Sequence, residues 1–230
     1  MDIDFNKVRA IVFDLDGTLY NNSHFPFWLV TSKITDAFVF SAERKVRRQM
    51  KGIDLENAET FYDSFFSHLS DKTRFTQEEA KAWYWEVYMD KFPEILRKHY
   101  HPQNGVAELF AHLSEMDVPT AIYSDYPRVK ERVEALGLPE DLCENYWSAP
   151  DMGAFKPAIR PMHEIASAMG VETSELLVVG DRVDTDGKSA FSCGAQFIHL
   201  LKKDNSQDPS SVHCSMHWNE LVEKLMSWHK

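Results

Sequence analysis

The chain has 230 residues, 43% of them hydrophobic and 27% charged, and a formal net charge of -11. That length holds a sizeable core in one domain plus an insertion, while the negative charge works against nucleic-acid backbones and anionic membranes unless a local basic patch compensates. The richest basic run, Arg44-Lys45-Val46-Arg47-Arg48 with Lys51, is too small for that and has the spacing of a solvated helix face, which leaves it at most a part in attracting an anionic substrate.

No segment approaches the ~20 apolar residues of a membrane span, and the acidic start Met1-Asp2-Ile3-Asp4-Phe5 lacks the basic and then apolar make-up of a secretory leader. Cys143, Cys193 and Cys214 are odd in number and form no CxxC pair, so no zinc or redox site is expected. A soluble, unprocessed protein of the reducing cytoplasm fits these features, with neither nucleic acid nor membrane as a partner. A monomer and a homodimer are both compatible with them.

In chain order, Ala10-Ile11-Val12-Phe13 is a short apolar run cut off by Asp14-Leu15-Asp16-Gly17-Thr18, which reads as a buried strand ending in a polar loop. Residues 19–102 then carry helix-like segments rich in aromatics, among them Phe61, Tyr62, Phe65, Phe66, Trp83, Tyr84 and Trp85. Their polar, turn-prone flanks mark a helical insertion whose aromatics form its own core. A helix is predicted over 106–116, and a strand over Thr120-Ala121-Ile122-Tyr123 that stops at Ser124-Asp125. Helices over 128–136 and 161–169 follow, then a strand Leu176-Leu177-Val178-Val179 stopping at Gly180-Asp181. Gln196 to Leu200 is predicted as the last strand, 202–211 as an exposed loop and 218–228 as a closing helix. Alternating strands and helices predict an α/β Rossmann-like fold with a parallel sheet, and ligands in such sheets bind beyond the carboxyl ends of the strands. The three polar clusters lie there.

Residues two apart on an extended strand end face the same side, so Asp14 and Asp16 can aim two carboxylates into one pocket. Gly17 permits a tight turn there, and Thr18 offers a hydroxyl to hold the loop. This Asp14-Leu15-Asp16-Gly17-Thr18 resembles the first motif of haloacid dehalogenase-like phosphatases. Ser124 at its strand end resembles the second motif, Lys156-Pro157 at the expected start of a helix the third, and Gly180-Asp181 with Asp186 the fourth. Four motifs in this order span nearly the whole chain.

The resemblance, which extends to the phosphoglycolate phosphatase-like and beta-phosphoglucomutase-like branch, implies a Rossmann-like core over 1–18 and 103–230 with an inserted all-helical cap over 19–102. It implies hydrolysis of a small phosphorylated metabolite with Mg2+ as cofactor. Asp14 is then the nucleophile and becomes an aspartyl-phosphate. Asp16 is the acid and base, Lys156 contacts the phosphoryl group and Asp14, and Ser124 donates to a phosphoryl oxygen. The metal ligands implied are Asp14, Asp181 and the Asp16 carbonyl, with Asp186 holding a coordinated water. Asp184 competes with Asp186 for that last place. Asp125 stands where relatives often carry Asn and is expected to turn its charge away from the phosphoryl group, engaging it through the backbone amide only. Arg182 contacts a neighbouring carboxylate, the substrate, or a surface partner. Dehalogenases of the same fold lack the second aspartate, because halide leaves without a proton, so Asp16 argues for phosphoryl transfer. The alternatives are a phosphosugar mutase that uses the same aspartyl-phosphate, and a non-catalytic phosphate-binding module.

Overall fold

The computed structural model describes residues 2–202 and 214–228. Four apolar residues make β1 (Ala10–Phe13), and all four are buried. Strand alternation sends Ile11 and Phe13 into one hydrophobic cluster and Ala10 and Val12 into another, so both faces of the strand are covered, as a parallel sheet requires.

The chain then enters α1 (Phe25–Ser32), α2 (Ala37–Gln49), α3 (Ala58–Lys72), α4 (Gln77–Trp83) and α5 (Met89–His99), with one π-helical turn, Tyr84–Tyr88, joining the last two. Local signals set the helix starts: the Asn57 side chain accepts from the Thr60 amide at α3, and Thr76 and Glu79 form a reciprocal capping box at α4. Phe61, Phe65, Phe66, Trp83 and Tyr84 are buried among these helices. The two connections to the sheet run side by side, with Tyr20 bridging Pro102 and the Gln103 amide donating to the Leu19 carbonyl at 2.8 Å.

Beyond the insertion follow α6 (Val106–Glu115), β2 (Thr120–Ser124), α7 (Val129–Ala135), β3 (Asn145–Ser148), α8 (Arg160–Ala168), β4 (Leu176–Gly180), α9 (Lys188–Ser192), β5 (Gln196–Leu200), β6 (Cys214–Met216) and α10 (Trp218–Met226). The six strands are parallel throughout, in the order β3-β2-β1-β4-β5-β6. Buried residues of α6, α7 and α10 share the cluster of Ile11 and Phe13, and those of α8 and α9 share that of Ala10 and Val12. The α/β core with its inserted helices is therefore the architecture expected from the sequence. Among the described residues no helix is long and apolar enough to cross a membrane.

Three expectations change. β5 is not the last strand, because Cys214–Met216 adds β6 beside it. β3 was also not anticipated; at three and four residues, neither edge strand carries the apolar run that marks β1 or β4. Lys156-Pro157 does not begin a helix: both residues lie in a turn, and α8 starts at Arg160, since a residue before proline is steered away from helical backbone. Apart from Lys202, the loop expected over 202–211 lies outside the described residues.

Candidate active site

From β1 the chain builds β2 and β3 on one side and then crosses to β4, β5 and β6 on the other. That reversal opens a crevice at the carboxyl ends of β1 and β4, and Asp14 and Asp181 follow those two strands. The Asp14 amide donates to the Val179 carbonyl at 2.9 Å, which fixes the two strand ends in register. Gly17, at φ 100°, has the backbone that favours glycine. A side-chain carbon there would overlap the Asp181 carboxylate, and one at Gly180 would overlap that of Asp186. Both glycines thus let carboxylates approach the backbone.

Asp14, Lys156 and Asp186 form the buried centre. Lys156 Nζ donates to Asp14 Oδ1 at 2.7 Å, Asp186 Oδ1 at 2.8 Å and the Tyr123 carbonyl at 2.7 Å, while Thr18 donates to Asp14 Oδ2 at 3.0 Å. Burial presses the lysine towards its neutral form, but the Asp14 and Asp186 carboxylates hold its pKa well above the usual value. Burial also raises Asp14, Asp181 and Asp186, each against the pull of a nearby lysine and with the push of another carboxylate. Oxygen atoms of these three residues come within 4.8 Å of one another. Such an all-oxygen set, crowded and only partly neutralised by Lys156 and by Lys202 at 2.7 Å from Asp181, fits a hard divalent cation.

Asp16 lies apart from this centre and is fully engaged. Its Oδ1 accepts from the Tyr20 hydroxyl at 2.6 Å; its Oδ2 accepts from Ser124 Oγ at 2.7 Å and from Arg132 Nη2 at 2.5 Å. The one hydroxyl proton of Ser124 is therefore committed to Asp16 in this structure. Arg132 was not foreseen. It is fully buried and also donates to Ser124 Oγ and to the Tyr126 carbonyl, with the Phe92 ring of α5 4.6 Å from its guanidinium carbon. A signal was present in the sequence, since Arg132 shares the α7 stripe of Val129 and Val133, both buried.

The remaining candidates separate. Asp125 Oδ1 accepts from the Lys156 amide at 2.9 Å, and the Asp125 carbonyl accepts from Arg47 Nη2 at 3.1 Å. Asp184 is exposed and outside the acidic cluster, paired with Arg182 at 2.8 Å and with Lys51 of the insertion. Its slight burial acts upwards, but the hydrogen bonds from Arg182 and Lys51 bring its pKa down to about 2. A cleft of about 420 Å³ lies between the insertion and the sheet, lined by Asp16, Lys156 and Asp125 on one side and by Arg44, Arg47, Arg48 and Lys51 on the other.

The sequence matches the haloacid dehalogenase-like hydrolase family over residues 8–194. It is 26% identical to a glyceraldehyde 3-phosphate phosphatase of Methanocaldococcus jannaschii, over 94% of this chain and 96% of that one. It is 23% identical to a phosphoglycolate phosphatase of Neisseria meningitidis, over 98% and 97%. Among solved structures, a 2-haloacid dehalogenase from Pseudomonas syringae superposes with a TM-score of 0.66 at 16% identity, covering 96% of this chain and 98% of that chain.

Proposed function

The chain belongs to the haloacid dehalogenase-like hydrolases, and from that footing we propose that it is a magnesium-dependent phosphatase of small phosphomonoesters, working through an aspartyl-phosphate on Asp14. The observation that carries this reading is the placing of a buried Asp14–Lys156 pair beside an acidic cluster, with a second aspartate two residues further on. A dehalogenase site has no use for Asp16, whereas a phosphatase needs a group that can return a proton to the leaving oxygen.

Asp14 and Asp181, with the Asp16 carbonyl, would hold the cation, and Asp186 completes the acidic wall. When bound, Mg2+ supplies positive charge that offsets the repulsion between phosphoryl oxygens and the Asp14 carboxylate. Lys156 adds to that charge and, by its contact with Asp14 Oδ1, orients the nucleophile and favours its ionised form against the effect of burial. Asp14 attacks phosphorus as the bond to the ester oxygen breaks, and Asp16, which enters this step as the neutral carboxylic acid, gives that oxygen its proton and is left as the carboxylate. In the second half, Asp16 takes a proton from the water that cleaves the aspartyl-phosphate, freeing inorganic phosphate and Asp14. Tyr20, Ser124 and Arg132 set the position from which Asp16 moves to the leaving oxygen, and Tyr20 lies in the connection to the helical insertion.

Residues 19–102 act as the cap, excluding bulk water and contacting the leaving group while the core handles the phosphoryl group. A covered cleft of this size suits a small metabolite better than a phosphoprotein.

The test is phosphate release from p-nitrophenyl phosphate and a panel of sugar phosphates and nucleotides, with Mg2+ or with EDTA. Release should need Mg2+ and fall by about a thousandfold or more in Asp14→Asn, a nearly isosteric change that removes the nucleophilic charge. Retention of wild-type rates in that variant would overturn the mechanism.

A further inference from the structure

Arg44, Arg47 and Arg48 recur at three- and four-residue spacing along α2, so they lie on one face of that helix, and all three line the cleft. Lys51 and Arg182 line it too, but both are paired with Asp184, and Lys156 is held by Asp14 and Asp186. Arg44 and Arg48 are exposed and form no ion pair among the described residues.

Arg47 is anchored with one loose ion pair and no carboxylate hydrogen bond. Its guanidinium carbon sits 3.8 Å from the Tyr126 ring centroid and 4.3 Å from that of Phe155, and its Nη2 donates to the Asp125 carbonyl. Its nearest carboxylate, Glu43, lies 3.7 Å from Nε without forming a hydrogen bond. Arg47 Nη1 and both Glu43 oxygens are buried with no partner. A cation held in this way by rings and a carbonyl, with an unused donor, lacks an acceptor that would complete it.

We propose that Arg44, Arg47 and Arg48 form a second oxyanion subsite, so that the substrate carries a carboxylate or a second phosphate on its leaving group. This rests on the phosphatase reading and deepens it. The guanidinium fork fits either oxyanion. Asp125 ties the two sides of the cleft together, its carbonyl meeting Arg47 and its carboxylate the Lys156 backbone amide, and a cleft of about 420 Å³ holds a short substrate. In a chain of net charge -11, this cluster also gives the cleft a local field that draws in such a dianion.

The experiment uses the full chain with Mg2+ and three esters of one scaffold: 2-hydroxyethyl phosphate, phosphoglycolate and ethane-1,2-diol bisphosphate, with p-nitrophenyl phosphate as a check on turnover. At least one anionic ester should exceed the neutral one about tenfold or more in kcat/KM. Phosphoglycolate alone in excess assigns the carboxylate, and the bisphosphate alone in excess assigns the phosphate. That ratio should fall about tenfold in Arg44→Gln/Arg48→Gln, mainly through KM, and stay as in wild type in Lys45→Gln, an exposed change on the same helix. A ratio near one, or a ratio the double variant does not move, overturns the subsite and returns these arginines to a solvated helix face. Absence of release from all four esters would instead count against the phosphatase reading. Calorimetric binding of the same three esters to Asp14→Asn then supplies the ratio, and equal affinities overturn the subsite.

Discussion

Arg132 determines where Asp16 points. A fully buried guanidinium must have its charge met, and among the described residues Asp16 is the carboxylate that meets it, at 2.5 Å. Replacing it with methionine removes the fork that orients Asp16 while keeping much of the volume. In Arg132→Met, kcat for alkyl phosphates should fall about tenfold further than kcat for p-nitrophenyl phosphate, because only the poor leaving group needs a proton from Asp16. Arg132→Lys, which keeps the charge but not the fork, should recover part of the difference. Equal losses on both esters would make Arg132 a structural residue only. Asp14, Asp16 and Asp181 were legible as strand-end residues because each lies just past a short apolar run cut off by polar residues. The stripe that Arg132 shares with Val129 and Val133 was masked, because Lys130, Glu131 and Glu134 around it give α7 the look of an ordinary charged surface helix. Ser124 was legible as a site residue, but its bond to Asp16 was not, since it joins residues 108 apart.

At the scale of the element, α2 buries a carboxyl group in its apolar face. Glu43 lies with Val39, Phe40, Ala42 and Val46, and burial raises its pKa to about 7 despite Arg47 and Arg44, which act to lower it. Its folded-state pKa is above its unfolded value of 4.5, so the fold binds a proton that the unfolded chain releases. Stability is therefore unaffected below about pH 4.5, declines as pH rises from there, and has lost its full share above about pH 7. The upper bound of that loss is about 3 kcal/mol. Glu43→Gln should remove the dependence: wild type should lose several degrees of Tm relative to the variant between pH 5 and pH 8. Parallel pH profiles would show that Glu43 is ionised in the folded protein. The helix itself was readable from its spacing, but its inward carboxylate was not, because it sits next to Arg44 in a run that looks solvated throughout. β3 and β6 escaped for a related reason: edge strands of three or four residues carry too few alternations to separate from loop.

Across the whole molecule, the insertion and the sheet are joined by contacts between distant parts of the sequence. Arg160 forks onto Asp54, 106 residues away, Tyr62 donates to Asp151 at 2.7 Å, Arg128 pairs with Asp90 at 2.6 Å, and the Phe61 and Phe155 rings lie 4.8 Å apart. The exposed pairs each contribute little, but with the ring packing they seat the helices over the strand ends that hold Asp14 and Asp181. This joint was not legible, because no local pattern announces a partner a hundred residues away. The acidic cluster it covers opposes folding. Burial raises Asp14, Asp181 and Asp186, so the folded state binds protons there that the unfolded chain lacks, and stability falls as pH rises through the folded values. A divalent cation removes that opposition when it binds the folded state, contributing about 2.7 kcal/mol at a hundredfold excess over Kd. Mg2+ should therefore raise Tm, and by more at pH 8 than at pH 5.5, where a proton competes for the Asp14 carboxylate, whose pKa burial lifts to about 7. In Asp181→Asn, which removes one charged ligand and keeps the shape, the rise should shrink sharply at pH 8. A rise equal at both pH values, or undiminished in Asp181→Asn, would place the cation elsewhere on the protein.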